Sequence, residues 1–184
     1  MKTAEAGIKI KWGIDPAHSV VGFKVKHLMI ANVRGIFKEF GASIYTTGED
    51  FMIAEIDFWL NPASVETNDE KRDGHIKSVD FFDVENFKEI NFTGNTYEEV
   101  DKDGSYELYG DLTIKGIKKQ IKLDVEFGGA MKDPWGNGKA VFFVNGKINR
   151  KDWNLNWNAA LEAGGVLVSE DVRISFEFQL VKQS

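Results

Sequence analysis

The sequence is poor in the residues that most often carry chemistry. Its 184 residues include no cysteine, three histidines and three prolines. The lack of cysteine excludes disulfides, thiol nucleophiles and cysteine-based metal sites. The histidines show no His-x-x-x-His spacing, and the chain contains no phosphate-binding glycine loop, dinucleotide fingerprint or Gly-x-Ser-x-Gly element. We therefore expect neither a metal nor another cofactor, and the sequence names no reaction.

Two further features are missing, namely an excess of positive charge and a long apolar run. The 23 basic and 29 acidic residues give a formal net charge of −6, which argues against nucleic acid as a partner. No stretch approaches the length of a transmembrane helix, and residues 1–15 lack the apolar core of a signal peptide. We expect a cytoplasmic protein without stable membrane insertion, or a periplasmic one if a signal peptide has been removed.

What is present is alternation between apolar and polar residues over most of the chain. The stretch 172–180 is typical, because an apolar residue stands at each even position. A period of two predicts half-buried strands. We place eight long strands near 19–27, 33–45, 51–61, 90–98, 105–114, 119–129, 138–149 and 170–181.

Eight strands that each carry one apolar face must stack as a sandwich or close as a barrel. Strands of about ten residues span roughly 33 Å, which is long for a sandwich of this size. We therefore predict an all-β fold, an extended eight-stranded antiparallel barrel with a short helical insert. The interior of such a barrel is either filled by side chains or holds one small ligand. We treat 1–184 as a single domain with a loose N-terminal tail over 1–10.

Two local features interrupt the strand pattern. The stretch 62–88 predicts a short helix, with Thr67 or Asn68 as the N-cap and acidic residues in the first turn. The pair Asn145-Gly146 is typical of a hairpin turn. Because alternation continues through it, we instead expect a bend or bulge at a barrel corner.

Two polar clusters permit a catalytic and a structural interpretation. Arg72, Asp73 and His75 fall within one helical turn, where Asp73 and His75 could act as a general acid/base pair. The alternative, which we favour, is a hydrogen-bonded clip that fastens the helix to the barrel. Arg150 and Asp152 at a strand end are similarly expected to organise a loop.

The 14 phenylalanines are the more informative signal. For any one of them a packed core is the simplest explanation. As a set on long strands, they indicate an elongated apolar interior, in which each enclosed CH₂ of a ligand contributes about 0.8 kcal/mol. By strand parity, the candidate tunnel wall comprises Phe23, Val25, Phe37, Phe58, Leu60, Phe92, Leu112, Phe142 and Val144. The candidate end residues are Phe81, Phe82 and Trp157, and the candidate contacts of a polar head group are His27, Arg72, His75 and Arg150.

The chain also resembles the YceI-like, polyisoprenoid-binding proteins from residue 12 to residue 180. Each matching motif is weak alone, but all of them occur in order. They are Trp12-Gly-Ile-Asp15-x-x-His18-Ser19, Phe23-x-Val25-x-His27, Gly35-x-Phe37, Ser64-x-x-Thr67, Arg72-Asp73-x-His75-Ile76-x-Ser78-x-Asp80-Phe81-Phe82-Asp83, Ile90-x-Phe92, Gly110-x-Leu112-Thr113-Ile114-x-Gly116 and Ile148-Asn149-Arg150-x-Asp152. The chain departs from the pattern at Lys88 and Asn154, where many members have proline and glycine.

The resemblance implies a lipocalin-like barrel whose tunnel holds a long isoprenoid or similar amphiphile, such as a polyprenyl quinone or its precursor. It implies binding or transport rather than catalysis, with no catalytic residues to carry over. Two alternatives stay open. One is an enzyme on a small apolar substrate that uses Asp73 and His75, and the other is a dimeric stress or interaction protein with a fully packed barrel. A homodimer is a reasonable expectation in any case.

Overall fold

The computed structural model describes residues 7–48, 50–100, 104–161 and 164–183. Within these residues it contains eleven strands, one α-helix and three short 3₁₀ turns. The strands and the helix are β1 (Lys9–Ile14), β2 (Val20–His27), β3 (Ala31–Phe37), β4 (Phe40–Thr47), β5 (Asp50–Leu60), β6 (Val65–Glu66), α1 (Glu70–Lys77), β7 (Ile90–Glu99), β8 (Ser105–Ile114), β9 (Ile117–Lys132), β10 (Gly138–Asn149) and β11 (Val168–Lys182). The 3₁₀ turns are Pro16–His18, Pro62–Ser64 and Arg150–Trp153.

The strands form one sheet that closes into a barrel. Neighbours follow the order β1-β4-β5-β7-β8-β9-β10-β11, and β11 pairs again with β1. β11 also pairs with β2, and β2 pairs with β3, so these two strands continue the paired strands β1 and β4 along the barrel. β1 with β2, and β3 with β4, therefore each fill one position in the wall. The predicted eight-stranded antiparallel barrel is confirmed.

The strand predicted near 33–45 is divided in two. β3 ends and β4 begins on either side of Lys38 and Glu39. Lys38 N donates to Ser64 O at 3.2 Å, and Glu39 N donates to Ser64 Oγ at 3.0 Å. The connection that follows β5 thus supplies the hydrogen-bond partners at the break, which sequence alternation alone does not reveal.

The eight predicted strands do not include β1. It pairs with β4 through Lys9 and Thr47 at one end and through Trp12 and Ile44 at the other. The loose tail predicted for 1–10 therefore does not extend to the last two of these residues, because β1 begins at Lys9. Residues 1–6 lie outside the described part of the chain.

β10 runs through Asn145 and Gly146 without a hairpin, as expected, but the bulge lies elsewhere. The register between β9 and β10 shifts between Val141 and Phe142, and Gly128 is the extra residue on β9. A side chain on Gly146 would collide with neighbouring side chains of the barrel interior. Gly146 therefore allows neighbouring side chains to pack closely, and it does not form a bulge.

α1 has a different N-cap from the two that the sequence suggested. Asp69, rather than Thr67 or Asn68, caps the helix, and its Oδ1 accepts from Arg72 N at 3.0 Å. That backbone hydrogen bond lowers the pKa of Asp69. Asn68 has a positive φ of 62°, and Thr67 is buried. Both residues belong to the connection that leads from β6 into the helix.

The apolar interior follows the alternation of the strands. In β10, for example, Ala140, Phe142 and Val144 are buried, whereas Phe143 between them is exposed. The same pattern recurs in the other long strands and directs one set of side chains into the barrel. This inner face forms the walls of the candidate site.

Candidate functional site

The barrel encloses a cavity of about 830 Å³. This volume lies in the upper part of the range of about 300–1,000 Å³ that is usual for small-molecule pockets. Among the described residues, the ionisable polar side chains of its lining lie at one end, which we call the mouth, apart from the buried Tyr106. The mouth consists of Lys26, His27, Asp69, Lys71, Arg72, His75 and Arg150. We call the opposite end the base. The remaining lining is almost wholly apolar.

All sixteen residues proposed from the sequence as ligand contacts line this cavity. On the wall these are Phe23, Val25, Phe37, Phe58, Leu60, Phe92, Leu112, Phe142 and Val144. Toward the mouth they are His27, Arg72, His75, Phe81, Phe82, Arg150 and Trp157. The structure therefore brings the whole set together, and their contact with a ligand remains a prediction.

The wall also includes residues that the sequence analysis did not single out. β11 contributes Ile174, Phe176 and Phe178, and the rings of Phe58 and Phe176 stack with centroids 6.0 Å apart. All three share the even parity of the stretch 172–180. The alternation thus already contained the signal that would have identified them.

Aromatic rings close the base. The ring of Phe51 lies 5.0 Å from that of Trp12, 4.9 Å from that of Phe142 and 6.2 Å from that of Phe127. Trp12 is only 3% exposed and donates from Nε1 to Thr46 Oγ1 at 2.9 Å. Rings therefore pack across the base, whereas polar and charged side chains surround the mouth.

Two tyrosines pack near the base, the buried Tyr106, which lines the cavity, and the partly buried Tyr97 beside it. The rings of Tyr97 and Tyr106 lie 5.7 Å apart, and Tyr97 Oη donates to Ala54 O at 2.5 Å. Burial raises the pKa of both hydroxyls, so they stay neutral over the physiological range. They add apolar rings to the interior without adding charge.

A hydrogen-bonded clip fastens α1 at the mouth. Thr67 N and Oγ1 donate to Asp73 Oδ1 at 2.9 and 2.5 Å. Arg72 donates from Nε to Thr67 Oγ1 at 2.8 Å and from Nη2 to Thr67 O at 2.6 Å. Thr67 directly follows β6, which pairs with β3, so the helix is tied to the barrel wall. The structure agrees with the clip that we favoured from the sequence.

His75 belongs to a different set of contacts. Its Nε2 lies 2.8 Å from Asp80 Oδ2. Its ring meets that of Trp157 edge to face at 4.5 Å and that of Phe81 at 5.2 Å. Asp73 is committed to the clip, so the Asp73–His75 pair on which the enzyme alternative depends is not formed.

Arg150 organises the long connection between β10 and β11. Its side chain is buried, and burial lowers the pKa of its guanidinium. The guanidinium donates to four backbone oxygens rather than to the carboxylate of Asp152. These oxygens belong to Ser169 and Trp157, each at 2.9 Å, to Val168 at 3.2 Å, and to Leu155. The expected role in the loop is present, but its partners are carbonyl groups, which no Arg–Asp motif reveals.

The mouth carries positive charge. The cavity lining includes the cations Lys26, Lys71, Arg72 and Arg150 and one anion, Asp69. The whole chain, by contrast, has a net charge of −6. These residues come from β2, from the start of α1 and from the end of β10, so only the fold brings them together.

The two departures from the family pattern lie outside this lining. Asn154 has φ 60° and ψ 25°, the left-handed conformation that glycine adopts freely and that asparagine tolerates. Lys88 follows the loop after α1 and is likewise absent from the cavity wall.

The described residues contain no group of three or more His, Cys, Asp or Glu side chains arranged to hold a metal ion. In that same part of the chain, no helix has the length and apolar character needed to cross a bilayer.

Comparisons with known proteins agree with this architecture. A family model described as the YceI-like domain matches residues 12–180. A UPF0312 protein of Staphylococcus aureus (strain MSSA476) is 38% identical over 169 residues, which cover 90% of this chain and 95% of that protein. The crystal structure of a Campylobacter jejuni YCEI protein is 34% identical, covers 93% of this chain and 97% of its own, and superposes with a TM-score of 0.72. A polyisoprenoid binding domain from Saccharophagus degradans shares the fold at 14% identity, with a TM-score of 0.63 over 94% of this chain and 98% of its own.

Proposed function

Because the chain belongs to the YceI-like family, we propose that it binds a long amphiphile, with the apolar tail in the barrel cavity and the polar head at the mouth. A fold neighbour is named as a polyisoprenoid binding domain, which makes polyprenyl chains the first ligand class to test. In this role the protein is a binding or carrier protein, rather than an enzyme, that shields a water-insoluble molecule from solvent.

The observation that carries this proposal is the apolar cavity of about 830 Å³. Transfer of each CH₂ from water into such a lining contributes about 0.8 kcal/mol. A tail of many carbons would therefore bind tightly even after the cost of ordering it. Because the base is closed by aromatic rings and the mouth is polar, the favoured orientation places the tail toward the base.

His27 is the first candidate to contact the head group. The side chains of Arg72, His75 and Arg150 already bond to other protein groups. The side chain of His27 lines the cavity and has no hydrogen-bond partner among the described residues. A neutral imidazole can donate from one nitrogen and accept at the other, which suits a quinone carbonyl or a phenolic hydroxyl.

The two alternatives agree less well with the geometry. A packed interaction protein would have its interior filled by side chains, and the cavity contradicts that expectation. The enzyme alternative needs Asp73 beside His75, whereas Asp73 binds Thr67 and His75 binds Asp80. Binding without chemistry is the function that this geometry supports best.

The test is native mass spectrometry of the freshly purified protein, combined with organic extraction and with uptake of a polyprenyl quinone by delipidated protein. We expect one bound amphiphile per barrel. Ala42→Phe should reduce uptake at least about tenfold, because Ala42 lines the cavity beside Phe58 and a phenyl ring there would occupy the volume of the tail.

The matched control is Ala130→Phe, which makes the same substitution at an exposed position of β9 outside the cavity lining. This variant should bind as the wild type does. An apo mass from several expression hosts, together with no uptake of polyprenyl quinones by the wild type, would overturn the proposal. So would equal uptake by Ala42→Phe and Ala130→Phe.

A further inference from the structure

The turn between β2 and β3 presents three consecutive apolar side chains to solvent. Leu28, Met29 and Ile30, which we call the tip, are 44%, 54% and 87% exposed. Leu28 and Met29 have positive φ values of 54° and 64°, and Ile30 N donates to His27 O at 3.3 Å. Positive φ at both central residues is the mark of a type I′ turn, in which Asn and Gly are strongly preferred. Large apolar residues at these strained, exposed positions indicate a contact outside the fold.

The tip lies at the rim of the mouth. His27, the residue before it, lines the cavity. Leu28 N donates to Leu167 O at 2.8 Å, and Leu167 lines the cavity as well. Val166 next to it is 37% exposed and adds to the apolar surface. A partner that covers the tip is therefore brought directly beside the cavity entrance.

The outer wall below the tip carries four cations in register, which we call the cationic row. Lys147 of β10 pairs with Arg173 of β11, Arg173 pairs with Lys24 of β2, and Lys24 pairs with Arg34 of β3. Like charges placed directly opposite one another destabilise a sheet. Lys147 Nζ lies 4.0 Å from Asp171 Oδ2, and the other three cations of the row form no ion pair among the described residues.

The far wall of the barrel has the opposite charge. Glu98 of β7 pairs with Glu107 of β8, and Glu107 pairs with Asp124 of β9. Lys122 partly neutralises the negative charge of these residues, because its Nζ lies 3.7 Å from Glu107 Oε1 and 3.8 Å from Asp124 Oδ1. An anionic surface would thus attract one wall and repel the other, which orients the whole barrel.

We propose that the tip and the cationic row dock this protein on a bilayer surface that contains anionic lipids. Lys24 is four residues from Leu28, about 13 Å along the strand, so a barrel lying obliquely brings both features to one plane. Apolar side chains can enter the headgroup region while nearby Lys and Arg bind its anions. Neither feature forms a groove shaped for a peptide, and a flat lipid surface is the partner whose chemistry matches both.

Docking gives the mouth a role that rests on the proposed function. With the tip in the bilayer, the cavity entrance faces the membrane, and an apolar tail can pass between the two with little exposure to water. The docking itself requires no bound ligand, so the two proposals can be tested separately.

The first experiment is co-sedimentation of the full chain with vesicles of phosphatidylcholine plus phosphatidylglycerol and with vesicles of phosphatidylcholine alone. We expect partitioning to the anionic vesicles to be about tenfold or more stronger, and to weaken as added salt screens the cations. Equal partitioning to both vesicles, or none to either, would overturn the proposal.

Paired variants then locate the docking surface. Leu28→Asn/Met29→Gly installs the preferred type I′ residues, so it should fold at least as well as the wild type while losing about tenfold in partitioning. Lys24→Gln/Arg34→Gln should lose a similar factor. The apolar control is Trp135→Asn, which removes a side chain that is 83% exposed at the base and should leave partitioning unchanged.

The charge control is Lys118→Gln/Lys132→Gln, which removes two exposed cations of β9 outside the cationic row and should also have no effect. Loss of partitioning in the controls rather than in the tip and row variants would overturn the assignment. A tip variant that still binds vesicles but no longer forms a dimer in gel filtration would identify a second copy as the partner instead.

Extraction of the bound amphiphile from the same variants separates the two proposals. Tip and row variants that keep their ligand but do not dock would support docking as a separate function of the rim. A wild type that docks on vesicles yet never takes up an amphiphile would leave docking standing and remove the proposed function.

Discussion

The two ends of the barrel are built by different kinds of interaction, although the same strands run through both. The base is closed by rings, with Phe51 in contact with Trp12 and Phe142. At the mouth, Thr67 and Arg150 hold the helix and the long connection by directional hydrogen bonds. Non-directional packing fills space, whereas hydrogen bonds can fix loops around an opening. We therefore expect substitutions at the base to act mainly on stability, and substitutions at the mouth to act mainly on the loops around the opening.

The same substitution at the two ends gives the sharpest test of this difference. Trp12→Ala should lower the free energy of unfolding by about 3–5 kcal/mol, because Trp12 is 3% exposed and packed among rings. Trp157→Ala should cost less than half as much, because the side chain of Trp157 is only half-buried at the mouth. Urea unfolding of delipidated protein measures both values, since a bound ligand would add its own stabilisation.

The control for this pair is Trp135→Ala, at an exposed position where we expect a change within about 0.5 kcal/mol. Ligand uptake should show the reverse order, with Trp157→Ala releasing the amphiphile faster than the wild type. Equal losses of stability from Trp12→Ala and Trp157→Ala would show that the two ends do not differ in the way we describe.

A second test concerns the hydrogen bonds of the mouth. Arg150→Met keeps much of the side-chain volume but removes the guanidinium donors of four backbone oxygens, of which Val168 O retains a hydrogen bond from Asn158 Nδ2 at 2.7 Å. We therefore expect the free energy of unfolding to fall by about 1–3 kcal/mol. Arg150→Lys should restore little of it, because an ammonium cannot reproduce the spread of the guanidinium donors. Hydrogen exchange should quicken at residues 155–161 and 164–168 and stay unchanged in the base.

Lys151→Met is the matched control, because Lys151 is the next residue but contacts Glu170 at the surface, at 2.8 Å. A surface ion pair of this kind is worth about 0–1 kcal/mol. Equal losses in the free energy of unfolding from Arg150→Met and Lys151→Met would show that Arg150 does not have the local role assigned to it. Faster hydrogen exchange in the base of Arg150→Met would show the same.

The wall of the cavity could be predicted from the sequence because strand parity is a local property. Phe58, Phe92 and Phe142 were placed inside by counting alternate residues, and the structure places all three in the lining. The same rule would have added Phe176 and Phe178. A bulge reverses the parity of its own strand beyond it, but the shift beside Phe142 comes from the extra residue Gly128 on β9, so the alternation of β10 is unbroken.

The features that sequence reasoning missed depend on contacts between distant segments. Asp69 rather than Thr67 caps α1, because the side chain of Thr67 binds Asp73 in the clip. Only the tertiary arrangement decides which of the two residues is the cap. The row of Lys24, Arg34 and Arg173 also has no local signature, because its members come from three strands. Register between strands, rather than propensity within one strand, created this row.

The smallest expected effect concerns a polar contact on the base side of the barrel. Asp15 Oδ2 lies 2.8 Å from His18 Nδ1, and this hydrogen bond lowers the pKa of Asp15 from its ordinary value of 3.8. A carboxylate whose pKa is lowered in the folded state adds stability at pH values above its ordinary pKa, and this stability is lost as the pH falls through the folded pKa.

Asp15→Asn retains an acceptor for Ala17 N and should lower the free energy of unfolding by less than about 1 kcal/mol at neutral pH, because His18 is largely exposed. Urea unfolding should show this difference shrinking below pH 3.8. A difference that persists or grows in acid would mean that packing around the turn, rather than the ionised carboxylate, accounts for the contribution of Asp15.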